Sequence, residues 1–196
     1  MKKVLAISLA VIMLVCFAAC GGSGSKVEAY DGALTAAVDA IYEKQPVEFM
    51  VAPGTEIDLT DAWALKSYLG LGEPQDDENG VTAPAEDFGI KEAVFSESMI
   101  GAQAYSLVLV KLNDSSKIEE MKKTIFDNID TRKWICVEAD QLRVVSCKDV
   151  IMLVMAASDL GEGLADGMVK AFASTISGEA VEDASTVLTG EVLTRG

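Results

Sequence analysis

The sequence predicts an α+β domain: a mostly antiparallel sheet with helices packed on one face, preceded by N-terminal helices. Three observations predict it. From Glu92 onward the patterns run strand-strand-helix-strand-strand-helix. Gln103–Leu112 and Val150–Ala156 are apolar without a helical period, as buried strands are. Ahead of them Val27, Tyr30, Leu34, Val38 and Ile41 recur at three- and four-residue steps, the spacing of a helix stripe.

The chain begins with the basic pair Lys2-Lys3 and an uncharged apolar run of 14 residues, Val4–Phe17. A membrane span needs about 20 residues, so residues 1–19 read as a secretory signal peptide that is removed. The small pair Ala18-Ala19 before Cys20 resembles a bacterial lipobox, in which the cysteine is acylated and becomes the first residue. Phe17 departs from the aliphatic residue usual there. Ordinary secretion with cleavage near Ala19 is the rival reading. Residues 20–25 are then the lipidated cysteine and a flexible Gly/Ser linker whose five residues reach about 12 Å.

The domain proper is expected over residues 26–178, with a helical subregion at 26–71. Its first helix runs from about Lys26 to Lys44 and stops before Pro46. A second starts at the Thr60-Asp61 cap and ends at Leu69, with Gly70 as its C-cap. Residues 72–91 hold an acidic, Gly- and Pro-containing loop.

Glu92–Met99 alternates weakly and reads as an outer strand; Gln103–Leu112 reads as a buried one. Ser116 and Glu119 suggest a capping box for a helix carrying Ile118, Met121, Ile125 and Ile129. "KWICVEAD", "LRVVSC" and "VIMLVMAAS" follow, with a tight turn at Lys148-Asp149 and Val150–Ala156 as the central strand. Leu160, Leu164, Met168 and Phe172 stripe a last helix that Gly178 ends. Residues 179–196 read as a loosely ordered tail.

The block from Phe95 to Ser158 ("SESMIGAQAYSLVLVKLNDSSKIEEMKKTIFDNIDTRKWICVEADQLRVVSCKDVIMLVM" within it) resembles an uncharacterised lipoprotein family of Gram-positive bacteria that contains a domain of unknown function. The resemblance implies an envelope lipoprotein and brings no functional residue with it.

Composition narrows the chemistry. Without residues 1–19 the chain has 177 residues, with 14 basic against 31 acidic ones, a formal charge of −17. Such a surface repels nucleic acid and anionic lipid headgroups. The absence of histidine removes the usual general base and zinc ligand. The lysines, Lys117, Lys122 and Lys123 among them, are expected on exposed helix faces. No cofactor and no metal is expected.

Three local features invite a functional reading. Counting from Gln75, the loop to Glu86 puts Asp77, Asn79, Gly80 and Glu86 at positions three, five, six and twelve of an EF-hand. Gln75 replaces the first aspartate and Pro84 disturbs the second half, so a solvated acidic loop is the plainer reading. Cys136 and Cys147 would face each other if their segments formed a hairpin closing at Gln141-Leu142, and export permits a disulfide. Both also sit among apolar residues, where a free thiol packs as a small hydrophobe. Trp134, after Arg132 and Lys133, can stack a ligand or simply pack in the core. The triplet Ser115-Ser116-Lys117 lacks the S-x-x-K spacing of a Ser-Lys hydrolase.

The expectation is therefore a non-catalytic binding module on the extracytoplasmic face of the cell membrane, held by its lipid at Cys20, with an envelope protein or ligand as partner. The alternatives are a small solute-binding lipoprotein of a transporter and a histidine-free hydrolase.

Overall fold

Among the described residues six strands make one sheet in which every neighbouring pair is antiparallel. The computed structural model describes residues 27–72 and 88–196. The signal peptide, Cys20, the Gly/Ser linker and the Gln75–Glu86 loop lie outside the described residues. In chain order the elements are α1 (Leu34–Lys44), β1 (Thr55–Glu56), α2 (Ala62–Leu69), β2 (Ile90–Glu97), β3 (Tyr105–Leu112), α3 (Ile118–Asn128), β4 (Gln141–Cys147), β5 (Val150–Ala156), α4 (Leu164–Ser177) and β6 (Leu193–Arg195). Across the sheet the strands stand β1-β2-β3-β5-β4-β6. The α+β class and the antiparallel sheet are as expected.

The expected placement of the helices on one face is corrected. In β5, Val150, Met152, Val154 and Ala156 belong to a core with Leu34, Val38 and Ile41 of α1 and Met168, Phe172 and Ile176 of α4. Ile151, Leu153 and Met155 belong to a second core with Leu65 and Leu69 of α2 and Met121 and Ile125 of α3. Alternate residues of a strand point to opposite faces, so helices cover both faces of the sheet. The reason is in the strands: β3 and β5 are buried along their whole length. An apolar run with no polar alternation needs cover on two sides. For the same reason α1 and α2 do not form a separate N-terminal subregion, since they lie on opposite faces.

α2 starts where expected. Asp61 accepts hydrogen bonds from the Trp63 and Ala64 amides at 2.9 and 3.3 Å, filling two of the first-turn donors. Gly70 ends it at φ 64°, and a Cβ there would lie 2.7 Å from the Ile129 amide nitrogen, so both backbone shape and space demand glycine. The start of α3 differs. Asp114, not a Ser116–Glu119 box, accepts from the Ser116 amide at 2.9 Å and opens a 3₁₀ turn, Ser115–Lys117, ahead of the helix.

The Lys148-Asp149 turn joins β4 and β5 as expected, with Lys148 at φ 52°. Residues 131–140 form a loop closed by the Ala139 amide on the Thr131 carbonyl, where a strand was expected. The segment 179–196, expected as a loose tail, is docked. Its β6 pairs with β4, and Ala184, Val187 and Leu188 pack on the α1/α4 core. Lys122, expected on an exposed face, is fully buried under this segment. Its Nζ donates to the Glu191 carbonyl at 2.6 Å and the Thr189 carbonyl at 3.2 Å, and it pairs with Glu119 at 2.9 Å. A short, polar tail gave no periodic signal; its order comes from three apolar side chains on the core, one buried ammonium and a strand edge.

Candidate functional site

Two ends of the sheet differ in what they carry. At the β4–β5 turn the chain enters the fold. There the Tyr30 amide donates to Asp149 Oδ1 at 2.7 Å, Lys111 Nζ donates to the Tyr30 carbonyl, and Lys148 pairs with Glu28 at 3.4 Å. The Leu34 amide, at the first turn of α1, donates to Glu92 Oε1 at 3.2 Å. Four contacts thus hold residues 28–34 against the sheet, so whatever precedes residue 27 leaves from this end.

The opposite end is about 25 Å away, the length of an eight-residue strand. It is built by the β2–β3, α3–β4 and β5–α4 connections. Several large apolar side chains stand in solvent there: Met50 at 62 % exposure, Met99 at 65 %, Ile100 at 44 % and Ile135 at 82 %. Met50 and Met99 are brought together by the Met99 amide donating to the Met50 carbonyl at 3.0 Å. Between the three connections lies an open cavity of about 280 Å³, with Ala102, Ala104, Val137 and Ala157 along it and Glu138, Asp140 and Asp159 at its rim. Asp140 accepts from the Ser158 hydroxyl at 2.6 Å and from its amide at 2.7 Å. The hydroxyl bond is the larger cause that holds its carboxyl below the usual range, so it stays ionised.

Beside this end a lysine braces three elements. Lys133 pairs with Glu97 of β2, donates to the Ser67 carbonyl of α2 at 3.0 Å and to Ser106 Oγ of β3 at 3.5 Å, and lies 4.7 Å from the Tyr68 ring centre and 5.2 Å from that of Trp134. Tyr68 stacks on Phe95 with centroids 4.0 Å apart, and Trp63 meets the Tyr68 ring edge-on at 6.0 Å. Burial, then the charge of Glu97, pushes the Tyr68 phenol up to about 12. Burial lowers the Lys133 pKa while Glu97 raises it. With its charge matched and its donors used, Lys133 is a positioning group and not a free acid or base. Trp134 is half-buried beneath it, and Trp63, 68 % exposed, is the ring left to solvent.

Of the two readings of Cys136 and Cys147, the structure has the free thiols and not the bridge. Cys136 is exposed and Cys147 buried, both as free thiols. The hairpin that would have brought them together does not exist, because β4 pairs forward with β5 and its other edge takes β6. Cys136 sits instead in the 131–140 loop at φ 65°. Burial raises the Cys147 thiol, the opposite of an activated nucleophile. Among the described residues no group of three or more Cys, Asp or Glu side chains is placed to hold a metal ion. Among them, too, no helix is long and apolar enough to cross a membrane.

Sequence reasoning missed the exposed apolar end and the lysine brace. The first had a visible signal: "MIG" at Met99–Gly101 puts two large apolar residues in a turn, where no core needs them. The second had none, since its partners come from α2, β2 and β3. No family model, no curated protein and no solved structure matches this chain.

Proposed function

We propose that this chain is a lipid-anchored extracytoplasmic binding module, tethered through Cys20, that holds a partner without transforming it, in the manner implied by its resemblance to uncharacterised Gram-positive lipoproteins. One observation carries the reading: the chain enters at one end of the sheet, while Met50, Met99, Ile100 and Ile135 are exposed at the other. A tether from Cys20 to residue 27 is short, with a mean reach of about 15 Å. The turn end therefore stays near the bilayer, and the domain, free to turn on a flexible tether, can present its apolar loops away from it. Isolated apolar residues on a surface mean little, but several gathered at one end mark a contact surface. The formal charge of −17 after processing argues against nucleic acid or anionic lipid as that partner.

The test is fractionation of cells carrying wild-type or Cys20→Ala protein. The wild type is expected to resist alkaline washing of membranes and the variant to appear as unprocessed precursor or in the wash. Equal retention of both would refute the anchor. Turnover in a hydrolase panel that a single acid-to-amide change abolishes would refute the non-catalytic assignment.

A further inference from the structure

We infer that the loop end of the sheet docks a protein segment that is both apolar and basic. The inference rests on the tethered-module reading above, which leaves this end free to reach a partner. Two features choose the occupant. Met99, Ile100 and Ile135 offer an apolar surface that no element among the described residues covers. Glu138, Asp140 and Asp159 stand at the rim of the adjoining cavity, and none of them is ion-paired within the described residues.

An apolar partner without charge would bury these carboxylates beside it at a cost in desolvation. An acidic partner would be repelled by them and by the whole domain. A Lys or Arg side chain resolves both, because its methylene stem lies on Ala102, Ala104 and Val137 while its head reaches the carboxylates. Charge complementarity of this kind speeds encounter and selects partners. A second copy of this chain is excluded by the same reasoning, since it would bring like charge to the rim.

The probe is a synthetic amphipathic peptide of leucine and lysine, with a lysine/serine peptide of equal charge and a leucine/glutamate peptide as comparisons. Binding to the full chain in detergent is read by fluorescence anisotropy at physiological salt. The leucine/lysine peptide is expected to bind at least tenfold tighter than the lysine/serine peptide, and the leucine/glutamate peptide not to bind. The double change Met99→Asn/Ile135→Asn should weaken binding at least tenfold. Val192→Asn, which removes an exposed apolar side chain elsewhere, should leave it unchanged. All three positions are solvent-exposed, so the variants keep the fold. Equal affinity for the two basic peptides, or no effect of the double change, would overturn the inference. So would a dimer in sedimentation that the double change dissolves, or binding of the Cys20→Ala chain to neutral vesicles that the double change abolishes. Peptide binding is read without reference to the lipid, so failure of the anchor in fractionation and failure of the docking face are separate results.

Discussion

Replacing Lys122 by methionine isolates what one buried ammonium does for the C-terminal segment. The stem keeps its apolar packing and only the charged head is lost. Four groups face that head: Glu119 Oε1 at 2.9 Å, the Glu191 carbonyl at 2.6 Å, the Thr189 carbonyl at 3.2 Å and Ser146 Oγ at 3.3 Å. They do not suffer equally. Glu119 is more than half exposed and returns to water at little cost, within the 0–1 kcal/mol typical of such pairs. The Thr189 carbonyl keeps the Ser146 hydroxyl as donor at 2.7 Å. The Glu191 carbonyl loses the one side-chain donor it has among the described residues. A charge-assisted hydrogen bond is worth about 1.5–3 kcal/mol, and relief of the ammonium's own desolvation offsets part of it. The expected net loss is about 1–2 kcal/mol, a fall of roughly 3–6 °C in Tm for a chain of this size. Lys122→Ala also deletes about three buried methylenes at about 0.8 kcal/mol each, for a total of about 3–5 kcal/mol. Denaturant unfolding measures both, and hydrogen exchange locates the effect, with residues 189–195 expected to lose protection first. A Lys122→Met protein as stable as wild type, with those amides still protected, would refute the account of how the tail is held.

Two other measurements follow from the same structure. All four tyrosines are raised above their ordinary value, chiefly by burial: Tyr68 to about 12, Tyr105 well above that ordinary value, and Tyr30 and Tyr42 in the same direction. A phenol whose folded pKa exceeds its unfolded value near 10 adds stability that is complete below about pH 10 and lost as pH rises towards 12. Tyrosinate absorbance should therefore show no phenol ionising near 10 while the fold persists, and Tyr68→Phe should lessen the alkaline loss of stability. One tyrosine titrating at its free value would contradict the burial assigned to it. Brief alkylation followed by peptide mapping should find Cys136 labelled and Cys147 unlabelled, and a cross-linked Cys136–Cys147 peptide would contradict the loop geometry.

The candidate site was legible only in pieces. Apolar residues in the Met99–Gly101 turn are a local anomaly that the sequence displays openly. Their meaning needed two distant facts: that Met50 joins Met99 through a backbone bond, and that the chain enters at the far end of β3. Lys133 gave no warning, because its environment is set by Ser67, Tyr68 and Glu97, which are remote in sequence. Lys122 misled for a related reason. Its neighbours Lys123 and Glu119 make it look like part of a solvated helix face, and only the return of residues 189–195 over α3 buries it.

What the sequence determined by itself was local. The Asp61 cap, the Gly70 and Gly178 stops, the Lys148-Asp149 turn and the two apolar strands follow from short-range steric and hydrogen-bonding rules that act within a few residues. The α+β class follows from the order of those periods. Tertiary structure decided everything that depends on which surfaces meet. It divided the helices between two faces, because fully apolar strands require cover on both sides. It drew β6 onto the open edge of β4, because an unpaired strand edge accepts any backbone that can reach it. It kept Cys136 and Cys147 apart, because β4 had a better partner in β5 than in the loop before it.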